Sequence, residues 1–247
     1  MGGVLKYTTL ISSALVILFG SIGVGNAQEH LVPEQDSFGQ EIGYHQKVRH
    51  LFDEGFRPEV LLKVVIFESF STESVIGIRK VSSGFEAFSL RAKTSIGDTE
   101  LLKYYEEGKI FLLDRDGNQT PGVETEGYRE LKERTPADFR DIEVEHSQRG
   151  LSKKTVDEVA DIWRAMLLET RYSKKFREGK DGTNYYFAIR DLNWGMSMSG
   201  RVWSPDKSSR TRLLVQLAES LKDFIETKIT EEQFRAKVKT TRMRLKR

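Results

Sequence analysis

The run EVLLKVVIFESF, residues 59–70, constrains the fold more than any other stretch of the chain. It is dense in β-branched and aromatic side chains, which suit a pleated, half-buried surface and crowd a helix. Two similar runs follow at once, ESVIGIRKVS (73–82) and GFEAFSLRAK (84–93). In the first of these, Val75, Gly77 and Arg79 share one parity, and Ser74, Ile76 and Ile78 the other. The links are too short for a crossover helix, so the three runs are expected to pair as an antiparallel meander. No regular strand–helix alternation appears later, which argues against a parallel doubly wound sheet.

The remaining segments supply mainly helices. Glu41–Phe52 reads as a short helix stopped near Gly55 and Pro58, and residues 28–40 before it as a flexible lead-in. A second short helix is expected over 98–109, capped by Asp98 and stopped by Gly108. Residues 114–140 carry Gly117, Pro121, Gly122, Gly127 and Pro136, and read as a long loop or a boundary between subdomains. DIEVEHS (141–147) alternates like a strand. Ser152 can cap a helix running to about Tyr172, with Val156, Val159, Trp163, Met166, Leu167 and Thr170 on one face. TNYYFAIR (183–190) and WGMSMSGRVW (194–203) read as paired strands. A helix follows Pro205, capped by Ser208 or Ser209, with Leu214, Leu217, Ala218, Leu221, Phe224 and Ile225 as its apolar stripe. Thr230 and Gln233 fit a capping box for a last helix. The expected class is α+β: an antiparallel sheet with helices packed mainly on one face.

The N-terminus carries an address. Lys6 precedes a mostly apolar, uncharged stretch from Leu10 to Val24, and the small residues Gly25 and Ala27 follow. That order is the pattern of a secretory signal peptide. We expect residues 1–27 to be removed after Ala27, leaving 28–247 as one α+β domain, with two subdomains as the alternative, exported to the periplasm or beyond. Cysteine is absent, which excludes disulfides, thiolate metal sites and a lipid-modified cysteine anchor. Basic and acidic residues nearly balance, 39 against 37, so no electrostatic footprint for nucleic acid is present.

The stretch NWGMSMSGRVWSP (193–205) invites a chemical reading. Gly195 and Ser197 begin like a serine nucleophile elbow, but Ser199 stands where the second glycine belongs. The context is a strand interior, with no histidine motif beside it. Parity instead divides the stretch. Trp194, Met196, Met198 and Val202 are expected to face the core beneath the C-terminal helices; Ser197, Ser199, Arg201 and Trp203 face the other way. In DRDGNQTPGVETE (114–126), Asp114, Asp116 and Asn118 have the alternating oxygen spacing of a calcium loop. Gln119 and Thr125 occupy positions that need Gly and Glu, so the segment reads first as an ordinary turn. No cofactor motif is visible.

These observations lead to an expectation of a binding protein rather than a catalyst, with another envelope protein as its partner. An inhibitor or immunity-type protein acting on a toxin or lytic enzyme is one concrete form. Tyr186, Trp194, Arg201 and Trp203 are the expected contact residues, because interface hot spots favour Trp, Tyr and Arg. The basic tail 235–247, with Phe234, Val238 and Leu245 as a thin apolar line, reads as a frayed segment able to touch a membrane weakly. The rival expectations are an envelope hydrolase built on His146 with Glu143 or Glu145, and an assembly component of the envelope.

Overall fold

The computed structural model describes residues 30–33, 40–113, 119–172, 181–191 and 196–246. Its centre is a six-stranded antiparallel sheet. The three strand-like runs form the expected meander: β1 (Val60–Glu68), β2 (Ser74–Val81) and β3 (Gly84–Ala92). The other strands of this sheet are β6 (Val144–Leu151), β7 (Thr183–Arg190) and β8 (Ser197–Trp203), and the spatial order is β6-β3-β2-β1-β7-β8. A short ribbon, β4 (Phe111–Leu113) with β5 (Gln119–Pro121), stands apart from it.

Alternation along each strand sorts side chains onto two faces. Leu62 and Val64 on β1, Ile76 and Ile78 on β2, Phe187 and Ile189 on β7 and Val202 on β8 face one way. Against them pack α4 (Lys153–Leu168), α5 (Arg210–Ile225) and α6 (Glu231–Leu245). Trp163 of α4 is wholly buried, with its ring 5.3 Å from that of Phe187. Burying a side chain of this size contributes on the order of 1.5–3 kcal/mol. The caps follow the sequence: Ser152 accepts from Thr155 N, Ser209 from Arg212 N, and Thr230 with Gln233 closes a capping box.

The opposite face is only partly covered by the described residues. There α1 (Gln40–Leu51) and the helical turn Asp53–Phe56 lie over β1–β3, with Val48 and Phe52 buried against Val65, Val75 and Phe88. The first residue of α2 (Ile96–Glu106), Ile96, closes this smaller core. Helices thus lie mainly, but not solely, on one face.

Several local expectations are corrected. The cap of α2 is Ser95, and Asp98 sits in the first turn instead. Within the stretch read as a loop, Thr125 caps α3 (Glu126–Arg134), a highly charged helix with Leu131 as its buried anchor. The strand over 141–147 begins three residues later, at Val144. The lead-in is not loose where it is described: Leu31 is fully buried, and Val32 exchanges both backbone hydrogen bonds with Arg201, at 2.9 and 2.7 Å. The basic tail is not frayed but forms α6, because Phe234 and Val238 insert into the main core while Arg235 and Arg242 pair with Glu158 and Asp161 of α4.

Candidate functional site

Where the described residues leave the second face uncovered, there is a cleft of about 250 Å³ between α1 and β7–β8. Its origin is local. Lys63, Val65 and Phe67 point from β1 toward α1, since Leu62 and Val64 take the other parity. On α1, Val48 and Phe52 are spent on the core, which leaves His45 and Arg49, one turn apart, on the flank facing β7. Under that flank β7 and β8 present small side chains, Ala188, Ser197 and Ser199, which form a low floor beside Lys63.

One wall is aromatic. The His45 imidazole stacks on Phe67, with centroids 5.4 Å apart and planes 5° from parallel. Tyr186 meets both rings edge-on at 5.2 Å. Such arrangements match the quadrupoles of the rings. The far end is basic. The Lys63 ammonium lies 3.7 Å from the Phe56 ring centroid and donates to the Gly55 carbonyl at 3.2 Å. Arg49 approaches the same ring at 5.3 Å. Among the described residues no carboxylate lines the cleft.

Behind the aromatic wall lies a buried carboxylate. Glu73, 2% exposed, accepts from Tyr44 Oη, from Ser95 Oγ at 2.8 Å and from the Ile96 amide at 3.1 Å. The charge thus sits at the N-terminus of α2, where the helix dipole favours it. Tyr44 in turn contacts Phe67 at 5.6 Å, so this network fixes the wall from the rear. Burial, together with the neighbouring Glu73 charge, pushes the Tyr44 phenol well above its ordinary value.

The residues expected as contacts are placed as follows. Tyr186 forms part of the cleft wall and is 8% exposed. Arg201 is its cross-strand partner, donates to its hydroxyl at 3.4 Å and is 3% exposed. Trp203 is half-buried at the end of β8, packed over Gly182. Trp194, and the metal candidates Asp114, Asp116 and Asn118, lie outside the described residues. The structure therefore joins Tyr186 to Arg201, mostly below the surface. Val202 faces the helical core as expected and Met198 packs beside it, but Met196 is 69% exposed.

Chemistry of other kinds finds less support in the geometry. Ser197 and Ser199 share the cleft with His45, yet among the described residues that imidazole is engaged by the Phe67 and Tyr186 rings and not by a hydrogen bond to either serine. His146 stands on β6, at the far edge of the sheet, 3.9 Å from Glu54; Glu143 pairs with Lys93. Among the described residues, no group of three His, Asp or Glu side chains is placed to hold a metal ion.

Nothing in the sequence marks His45, Arg49 and Lys63 as one site. The available signal is Lys63, a lone cation in the middle of an apolar central strand. Comparison with protein-family models, with curated proteins and with solved structures finds no match.

Proposed function

We propose that the chain is an exported binding protein that holds a ligand in the cleft between α1 and β7–β8 without transforming it. The observation that carries this reading is the cleft that the described residues form on this sheet face, where aromatic rings, two cations and small residues converge. Binding sites commonly combine an apolar lining with a few placed polar groups. The cleft falls below the range of roughly 300–1,000 Å³ typical of drug-sized ligands, so it suits one compact group. Export rests on Lys6, the apolar stretch to Val24 and the small residues before Gln28.

Native mass spectrometry tests the reading. The chain Gln28–Arg247 is incubated with small molecules extracted from bacterial envelopes. An unmodified compound should be retained, and Ser199→Trp, which fills the cleft, should abolish retention. A chemically altered product would overturn the non-catalytic part, and retention unaffected by Ser199→Trp would overturn the location. Export is checked by recovering the protein from the periplasmic fraction with Gln28 as its first residue.

A second reading, inhibition of a toxin or lytic enzyme, draws on Phe70. This residue caps the β1–β2 connection, is 96% exposed and has a φ of 63°. Left-handed backbone disfavours an L-residue by about 1–2 kcal/mol. A fully exposed aromatic in that conformation suits insertion into a partner's pocket. Suppression of a captured enzyme's activity, lost in Phe70→Gly, would support this form; suppression unchanged by that substitution would remove it.

A further inference from the structure

We propose that the outer edge of β6 is a self-association surface, on which a second copy of this chain adds its own β6 antiparallel, about a two-fold axis at Ser147. Such pairing does not depend on the cleft. The two edges of the main sheet differ. On β8, Val32 exchanges backbone hydrogen bonds with Arg201. On the outer side of β6 no described residue does the same. β6 runs for eight residues in unbroken register with β3, without a proline, a lysine or a bulge. Those are the devices that commonly blunt an open edge, and an edge lacking them is a template for another strand. The residues from Glu145 to Gln148 are all exposed.

Parity decides which backbone groups are free. The Lys93 amide donates to the Glu143 carbonyl at 2.9 Å, so Glu143 and every second residue after it turn their backbone groups toward β3. Val144, His146, Gln148 and Gly150 therefore turn theirs outward. Side chains facing each other across an antiparallel pair must lie on the same sheet face, so the axis passes through a residue and not between two. With the axis at Ser147, Val144 opposes Gly150 of the second copy and His146 opposes its Gln148. Each of these pairs exchanges both backbone hydrogen bonds.

Charge selects this register. Glu145 then lies directly across from Arg149 of the second copy, and Arg149 from its Glu145. Both stand at non-hydrogen-bonded positions, where facing Cα atoms are about 4.5 Å apart and side chains approach most closely. Neither forms an ion pair among the described residues. Lys93, the cation near Glu145, is taken by Glu143. Arg149 Nη1 donates to the Phe224 and Ile229 carbonyls at 2.9 and 3.0 Å, which hold the guanidinium without neutralising it. An axis at Gln148 would set Glu145 against Leu151. An axis at His146 would set the two imidazoles against each other and Arg149 against Glu143, which Lys93 already holds.

Sedimentation velocity of the chain Gln28–Arg247 over a rising concentration series should show a monomer–dimer equilibrium. Glu145→Arg sets like charges across the axis at both symmetric pairs, and should weaken the dimer about tenfold. Gln148→Pro removes an outward N–H that the ladder to β3 does not use, so it should abolish the dimer and leave the monomer folded, as thermal melting checks. The register has its own readout, because the chain has no cysteine. Ser147→Cys should cross-link readily to its own copy when oxidised with diamide, since the facing Cα separation suits a disulfide. Ser83→Cys, in the exposed β2–β3 turn, should cross-link at least about tenfold more slowly. A chain that stays monomeric at millimolar concentration would overturn the proposal, as would a dimer that survives both Glu145→Arg and Gln148→Pro. Pairing of β6 with an extended segment of another protein, by a chain that does not self-associate, would overturn the choice of partner.

Discussion

Tyr44 on α1 donates its phenolic hydrogen to Glu73, a carboxylate buried between the sheet and the start of α2. Three donors from two separate segments converge on this one side chain, so it ties α1 to the start of α2. Glu73→Ala would strand the Tyr44 hydroxyl, the Ser95 hydroxyl and the Ile96 amide together. The expected loss is about 3 kcal/mol or more, since hydrogen bonds to charged groups contribute about 1.5–3 kcal/mol each and are not additive. Urea denaturation checks this, and a loss below about 1 kcal/mol would show that the network is ornamental to stability.

The same pair predicts a pH dependence at the alkaline end. The Tyr44 phenol is raised above its ordinary value of 10.0, first by burial and then by Glu73. A group raised in the folded state contributes stability that is complete below its unfolded value and is lost as pH climbs. Above pH 10 the unfolded chain releases the Tyr44 proton while the folded chain keeps it, so stability should fall by about 1.4 kcal/mol per pH unit from this group. Tyr44→Phe removes that contribution. Urea midpoints followed from pH 8 to pH 11 should therefore drop more steeply for the native chain than for the variant; parallel curves would contradict the assignment.

Leu31 and Gly200 form a matched contact. A Cβ at Gly200 would lie 2.9 Å from Leu31 Cβ and 2.8 Å from Thr170 Oγ1. The glycine that makes GMSMSG look like a damaged serine motif is thus the seat of Leu31. Leu31→Ala should destabilise the fold by about 2–5 kcal/mol, the range for emptying a buried leucine site. Gly200→Ala should cost about 1–3 kcal/mol by overpacking. A chain beginning at Gln40 should melt well below one beginning at Gln28; equal melting temperatures would mean that the segment does not dock.

Phe70 offers a separation of stability from recognition. Phe70→Gly relieves the left-handed backbone, so stability should stay level or rise by up to about 1 kcal/mol. Phe70→Ala keeps the strain and should show no such gain. A clear loss of stability in Phe70→Gly would mean that the ring packs in solution and is not held out for a partner.

Much of the framework was legible because it is written in periodicity. The β-branched run at β1, the stripe from Leu214 to Ile225 and the pair Thr230 and Gln233 each signal an element through local chemistry, and each element is present. What local pattern misses depends on distant partners. α3 is short and charged, and is tied down by Leu131 and by Lys132 reaching Glu106 of α2. Leu31 sits in a polar lead-in, and its core position exists only because Gly200 is opposite. The basic tail reads as solvated until the acids of α4 are brought beside it. The cleft is the extreme case. Tyr186 and the face of Ser197 and Ser199 are visible from the alternation of β7 and β8, but His45 and Arg49 come from a helix whose docking no strand pattern announces. Arg201 shows the converse: a residue type suited to an interface is occupied beneath the surface by Tyr186.

The central claim, that the cleft between α1 and β7–β8 is where this protein binds, is tested most directly by adding the small-molecule envelope extract to the isotopically labelled chain Gln28–Arg247 and following backbone amide shifts. The account predicts saturating shifts centred on His45, Lys63, Ala188 and Ser199, absent in Ser199→Trp. Saturating shifts centred elsewhere, on the β6 edge or the α6 surface, or shifts in the cleft that persist in Ser199→Trp, would contradict it.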